Sequence, residues 1–118
     1  MVNPLRGEAA IDIGGGLVLT LRPTFEALVA AEAATGKSVI ELAQDAVARR
    51  LSLRNLCQII GAAAKASGDL VPADLGARLL DRGIMMLIPQ IADFLTAALI
   101  KDKAGNAEAG GAVMPPPA

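Results

Sequence analysis

Near the start of the chain, apolar residues alternate with small or polar ones, as expected of strands with one buried face. Ile11 and Ile13 form the first such run, and a second follows the glycine triplet at 14–16. Glycine adopts positive φ values without a steric penalty, so the triplet suits a short turn. The pattern predicts an antiparallel β-hairpin with Arg22 on its outer face and with an inward set of Leu17, Leu19 and Leu21.

Beyond the hairpin, apolar residues recur every three or four positions, which predicts helices. We predict four to five of them, at residues 25–34, from Ser38 onward, at 53–66, from the turn at Pro72 to about Arg82, and at 84–100. Thr24, Ser38 and Ser52 have the side chains of helix N-caps, and Gly36 suits the left-handed residue that ends a helix.

The predicted inward faces follow from this spacing. They consist of Phe25, Leu28 and Val29 on the first helix, Ile40, Ala43, Val47 and Leu51 on the second, Leu53, Leu56, Cys57, Ile60 and Ala64 on the third, and Ile84, Leu87, Ile88, Ile91, Leu95 and Leu99 on the last. An isolated hairpin is marginally stable in water. We therefore predict an α+β domain over residues 1–103, in which the hairpin packs on the helices.

The last part of the chain, residues 104–118, is rich in glycine, alanine and proline and has no apolar period. This composition is typical of a disordered tail.

The most apolar segment, residues 84–100, has the length of a membrane span. A charge such as Asp93 at a bilayer centre would cost about 3 kcal/mol on insertion scales, and Pro89 and Gln90 add to that cost. We interpret the segment as an amphipathic core helix, kinked or delayed in its start by Pro89, and predict no membrane association.

The composition of the 118 residues narrows the possible chemistry. A net charge of −1 does not favour nucleic-acid binding, which normally needs a basic excess. The chain has no histidine and one cysteine, so the commonest general base and metal ligand are missing. We therefore predict no enzymatic activity, no cofactor and no metal, and interpret Cys57 as a small core residue.

Residues 31–38, AEAATGKS, match a permissive nucleotide-loop pattern in which Lys37 and Ser38 would contact phosphates and Mg²⁺. Such a loop follows a buried parallel strand, whereas this one follows an alanine-rich helix. A helix end at Gly36 and a new start at Ser38 account for the same residues, and we favour that interpretation.

Arg49, Arg50 and Arg54 lie between two short helices and raise the alternative of a small helix-turn-helix DNA-binding regulator. The near-neutral charge makes a solvent-exposed helix junction the preferred interpretation.

Several segments together resemble a small family of tailed phages, prophages and gene transfer agents, the tail-tube or tail assembly chaperone-like proteins. The segments are NPLRGE at 3–8, LTLR at 19–22, FEAL at 25–28, SVIEL at 38–42 and LSLRNL at 51–56. The similarity covers roughly residues 3–100, and the Arg-Gly-Glu start before the hairpin is its most specific part.

The resemblance implies a non-enzymatic tail morphogenesis protein acting in the bacterial host cytoplasm, where no secretory signal is expected. Its expected partners are the tape measure protein, for which it would be an assembly chaperone, the tail tube protein, or a second copy of the chain. A permanent component of the tail tube or its connector is the alternative. The residues predicted to contact a partner are Arg6, Glu8, Arg22, Met85 and Met86.

Overall fold

The computed structural model describes residues 7–100. It contains a hairpin followed by five helices, with the bounds β1 Ala9–Gly14, β2 Leu17–Leu21, α1 Phe25–Thr35, α2 Val39–Val47, α3 Leu53–Ala66, α4 Leu75–Arg82 and α5 Ile84–Ile100. The predicted α+β fold is therefore confirmed. Arg6 and the predicted tail at 104–118 lie outside the described residues.

The hairpin is antiparallel and places Ile11 opposite Leu19. Both residues are buried, as are Ile13 and Leu21. The register shifts between Asp12 and Gly14, so that Gly14 pairs with Leu17 at the tip. The prediction that Leu17 faces the core is wrong, because this shift leaves its side chain 44% exposed beyond the reach of the helices.

One edge of the hairpin is closed by a contact from a distant part of the chain. The backbone N–H of Thr20 donates to Oδ2 of Asp69 at 2.7 Å. Asp69 follows α3, so this bond ties the end of that helix to β2. A charged acceptor on an edge N–H satisfies the group and also prevents another strand from pairing there.

The predicted helix starts are confirmed. Thr24 accepts a hydrogen bond from the N–H of Ala27 at 3.1 Å, Ser38 accepts one from Glu41 at 3.1 Å, and Ser52 accepts one from Asn55 at 2.9 Å. Gly36 has a φ of 75° and ends α1 in the left-handed conformation, as predicted. These caps fix where the chain turns between α1, α2 and α3.

Two helix pairs, α1 with α3 and α2 with α5, form most of the bundle. Helix α3 also covers β2, while α4 and α5 cover β1. The largest fully buried side chains come from the hairpin and from α2 to α5, and they are Ile11, Ile13, Leu21, Leu42, Leu56, Ile59, Ile60, Leu79, Ile91, Phe94 and Leu95.

The predicted inward faces of α1 and α2 are only partly correct: Leu28 packs against the core and Ala43 and Leu51 are buried, as predicted, but the other predicted residues are exposed. On α1 the buried residues are Ala27 and Ala31, while Phe25 is 77% exposed and Val29 is also exposed. Small side chains let α1 approach α3 closely, and this rotates the larger ones outward. On α2, Ile40 and Val47 are likewise exposed, and the buried residues are Val39, Leu42, Ala43 and Ala46.

The predicted faces and bounds of α3, α4 and α5 agree more closely with the structure, with a few differences. Leu53 on α3 and Leu99 on α5 are exposed, and Phe94, absent from the predicted set, is buried. Helix α4 begins at Leu75, so Pro72 precedes the helix instead of lying in its first turn. Helix α5 has the predicted bounds and contains Pro89.

Helices α4 and α5 meet at Gly83, which has a φ of 100°, and the axes bend there by 105°. Between residues 7 and 100, no single helix is long and apolar enough to cross a membrane. Together α4 and α5 reach the required length and composition only as this bent pair.

We predict that Asp69→Ala lowers the free energy of unfolding by about 1.5–3 kcal/mol, because it removes the charged acceptor of the Thr20 N–H. The measurement is the urea unfolding midpoint, with the slope unchanged. Asp93→Ala is the matched control, since Asp93 is an exposed carboxylate for which residues 7–100 provide no ion pair. Equal midpoints for the two variants would contradict the assigned role of Asp69.

Gly7, the glycine of the Arg-Gly-Glu start, gives a second prediction. Its φ is 80°, and a Cβ there would lie 2.5 Å from Cβ of Ala97 on α5. Gly7→Ala should therefore cost about 1–2 kcal/mol for the left-handed backbone and about 1–3 kcal/mol more for the overpacked contact. Urea unfolding of Gly68→Ala isolates the backbone cost, because Gly68 has a φ of 92° but open space around its Cβ position. Equal losses in both variants would rule out the contact with Ala97.

Candidate functional site

The nucleotide-loop pattern at 31–38 is occupied by helix-end contacts. Lys37 places its Nζ 3.3 Å from Oδ2 of Asp45, and its backbone N–H donates to the hydroxyl of Thr35 at 3.2 Å. Glu32 reaches past the turn, where its Oε2 accepts a hydrogen bond from the N–H of Val39 at 2.9 Å. The residues that would contact phosphates therefore stabilise the junction of α1 and α2.

The other chemical alternatives find little support in the described part of the chain. No group of three or more His, Cys, Asp or Glu side chains within residues 7–100 could hold a metal ion. Helices α2 and α3 follow each other closely, but α2 packs mainly on α5 and α3 mainly on α1. Arg50 pairs with Asp45 at 3.9 Å. In a helix-turn-helix unit the two helices pack on each other. The separate packing of α2 and α3 therefore does not support a helix-turn-helix interpretation.

Two of the predicted partner residues meet at the open end of the hairpin. Nε of Arg22 lies 3.7 Å from Oε2 of Glu8, and the side chains are 42% and 11% exposed. This cross-strand ion pair joins the segment before β1 to the end of β2. It leaves the Arg22 guanidinium accessible at the surface, whereas Glu8 is largely covered.

The two predicted methionines lie at the α4–α5 bend. Met85 is 57% exposed and Met86 74% exposed, and Leu80, one turn before the bend, is 61% exposed. We call these three residues the elbow patch. Neither methionine is buried in the core.

The hairpin tip explains why the elbow patch faces outward. Nη1 of Arg78 lies 3.2 Å from the carbonyl oxygen of Gly14, and Nη2 of Arg82 lies 3.5 Å from Oδ2 of Asp12. These contacts hold one side of α4 against β1.

Pro89 affects the backbone of α5 near the elbow patch. Because proline has no N–H to donate one turn back, the carbonyl of Met85 loses its usual helical partner.

A second surface, not predicted from the sequence, is a shallow groove of about 610 Å³ between α1, α3 and the segment leading into α4. We call it the α1–α3 groove. It is mostly apolar and is lined by Ala30, Ala34, Cys57, Gln58, Gly61, Ala62, Lys65, Ala66, Val71 and Leu75.

Cys57 packs against the edge of the core and also lines this groove. It is half-buried, and burial raises the pKa of its thiol. The prediction of a core cysteine is therefore correct in part: Cys57 packs against the core, but it is half-buried and reaches the groove. Small residues spaced along the outer side of α3, such as Gly61 and Ala62, were the signal available in the sequence. The facing walls of the groove come from other elements, so the small residues of α3 alone could not predict the groove.

Comparison with known protein families identifies the family of the chain. A family model described as "Phage tail tube protein, GTA-gp10" matches residues 6–101. No curated protein matches the chain significantly, nor does any solved structure. The match begins at the Arg-Gly-Glu start, runs through the hairpin and all five described helices, and covers well over half of the chain. The chain therefore belongs to the phage tail tube protein family GTA-gp10, a family of tail proteins from phages and gene transfer agents.

Proposed function

We propose that this tail protein is a non-enzymatic assembly chaperone that binds the tape measure protein in the bacterial host cytoplasm before the tail tube forms. The observation that carries the proposal is the elbow patch, in which Leu80, Met85 and Met86 are all exposed. The three residues lie within seven positions of the chain around the α4–α5 bend, and an exposed apolar patch is typical of a protein-binding surface.

The chemistry of the patch suits a helical partner. A long helical protein exposes apolar stripes until tube subunits enclose it, and an apolar surface can shield such a stripe by helix packing. Methionine side chains are flexible and polarisable, so they adapt to many different stripes. The chain has no tryptophan or tyrosine, the residues that dominate tight interfaces. Each copy would therefore bind weakly enough to be displaced during tube assembly.

A permanent place in the tail tube or its connector is the second candidate, and the description of the matching family favours it. A tube subunit normally builds rings from an extensive sheet. Between residues 7 and 100 the sheet has two strands, and the Thr20 edge is taken by Asp69. This limited sheet is the reason for ranking the chaperone role first.

Two measurements separate these candidates. The chain is co-expressed with the long helical protein encoded among the tail genes and captured by an affinity tag, and finished particles are analysed by mass spectrometry. Capture of the helical protein together with absence from particles supports the chaperone role. Stoichiometric presence in particles supports the structural role and overturns the proposal.

We predict that the double variant Met85→Asp with Met86→Asp lowers capture of the helical protein at least about tenfold, because two buried carboxylates would replace apolar contacts. Circular dichroism should remain helical, since both side chains are exposed in the free protein.

The matched control for this double variant is Ile40→Asp with Val47→Asp. Ile40 and Val47 are 57% and 64% exposed, so the control removes similar exposed apolar area from α2. Equal losses of capture in the two double variants would show that general surface hydrophobicity, and not the elbow patch, holds the partner.

A further inference from the structure

We propose that the α1–α3 groove is a docking site for an amphipathic helix with an acidic residue at each end of its apolar face. The inference rests on the proposed function, because it states which chemistry a helical partner must carry. It concerns a surface that is separate from the elbow patch.

The floor of the groove is suited to a helix. Ala30 and Ala34 on α1 face Ala62 and Ala66 on α3 across the groove, and Val71 and Leu75 border it. Small side chains let a further helix approach at the short end of the usual 8–10 Å interaxial range. Methyl groups alone would provide area but no selectivity.

Selectivity comes from two basic side chains on the same face of α3, Lys65 within the groove and Arg54 one turn beyond the residues that line it. Lys65 lines the groove directly. Arg54 lies one turn before Gln58 on the same face of α3. Eleven positions separate Arg54 from Lys65, which is three full turns and about 16 Å along the helix axis.

Both basic groups are available for a partner. Arg54 and Lys65 are exposed, and neither forms an ion pair within residues 7–100. The basic side chains at 22, 37, 50, 78 and 82, by contrast, all contact carboxylates. Two unpaired cations flanking an apolar strip complement a helix whose carboxylates are about eleven residues apart.

Gln58, a polar residue of the groove, is held by the buried Asn55 and adds a fixed contact point. Asn55 is only 8% exposed, and its Nδ2 donates to Oε1 of Gln58 at 3.0 Å. This bond orients the Gln58 amide, so its own N–H₂ group is free to donate to a docked helix.

A second copy of the chain fits this chemistry less well than a different protein. None of the described helices carries two carboxylates eleven residues apart. The acidic residues of α1 are six positions apart, those of α2 are four apart, and α5 contains only Asp93. The occupant is therefore a helix from a partner, and in the proposed function that partner is the tape measure protein.

The test uses the full chain and two synthetic amphipathic helical peptides of 18 residues with the same apolar face. One peptide carries Glu at positions 1 and 12, and the other carries Lys there. We expect fluorescence anisotropy to show at least about tenfold tighter binding of the Glu peptide. Equal binding of both peptides, or binding of neither, would overturn the inference.

Charge reversal at the two basic side chains sharpens this test. Arg54→Glu and Lys65→Glu should each weaken binding of the Glu peptide and improve binding of the Lys peptide. Arg49→Glu is the control, because Arg49 also has no ion pair within residues 7–100 but lies outside the groove. If Arg49→Glu has the same effect, general surface charge explains the binding and the groove does not.

Cys57 is a built-in reporter of occupancy, because it is the one cysteine in the sequence and lines the groove. The Glu peptide should slow its reaction with a thiol reagent, and labelled protein should no longer bind the peptide. Displacement of the peptide by a short DNA duplex, with strong salt dependence, would instead indicate a phosphate-binding surface and overturn the inference.

The peptide test and the capture of the tail protein can fail separately. Capture of the helical tail protein without peptide discrimination would overturn only the groove inference. Peptide discrimination without capture of the tail protein would overturn the proposed function and leave the helix-docking chemistry of the groove in place.

Discussion

The close packing of α1 on α3 through alanines is the constraint on which the rest of the structure depends. Ala27 and Ala31 on α1 and Ala63 and Ala64 on α3 are fully buried. Because these side chains are short, the two helices approach closely and still fill their shared interior. The cost is that α1 has to present its larger residues, such as Phe25, to solvent.

Two features of the surface follow from this packing. The narrow contact between α1 and α3 leaves a shallow channel on their outer side, and the segment before α4 borders it to form the α1–α3 groove. The second feature is the position of the hairpin. Helix α3 covers β2 and ends beside it, so that Asp69 reaches Thr20 and closes that sheet edge. Packing inside the bundle thus determines which backbone groups and which apolar strips reach the surface.

The sequence predicted the order and type of the elements because their ends carry strong local signals. A hydroxyl at Thr24, Ser38 or Ser52 satisfies a helix N-terminus wherever the helix later packs. The predicted faces of α1 and α2 were only partly correct because both helices carry apolar residues on several sides, so a periodic pattern fits more than one orientation. Only the partner helix decides among them. The bond from Asp69 to Thr20, between residues 49 positions apart, leaves no signal in any local window.

The candidate sites also differ in whether a local sequence signal reveals them. Two adjacent methionines on one helix cannot both enter the same core, so the sequence could indicate surface exposure at this position, and Met85 and Met86 are both exposed. The α1–α3 groove could not be identified in this way, since its walls come from three separate segments and its two cations are eleven positions apart. Whether these two cations stay unpaired also depends on which carboxylates form ion pairs with the other basic residues.

The two surfaces impose different demands on a helical partner. At the elbow patch the side chains are long and flexible, so many apolar stripes can be accommodated and discrimination is weak. In the α1–α3 groove the side chains are short and the charges are fixed to one helix, so carboxylate spacing decides the fit. In the proposed chaperone role the two surfaces would complement each other, since the tolerant surface would maintain contact while the selective one would set the register. Removing the charges at Arg54 and Lys65 would then disturb positioning along the partner before it abolished binding.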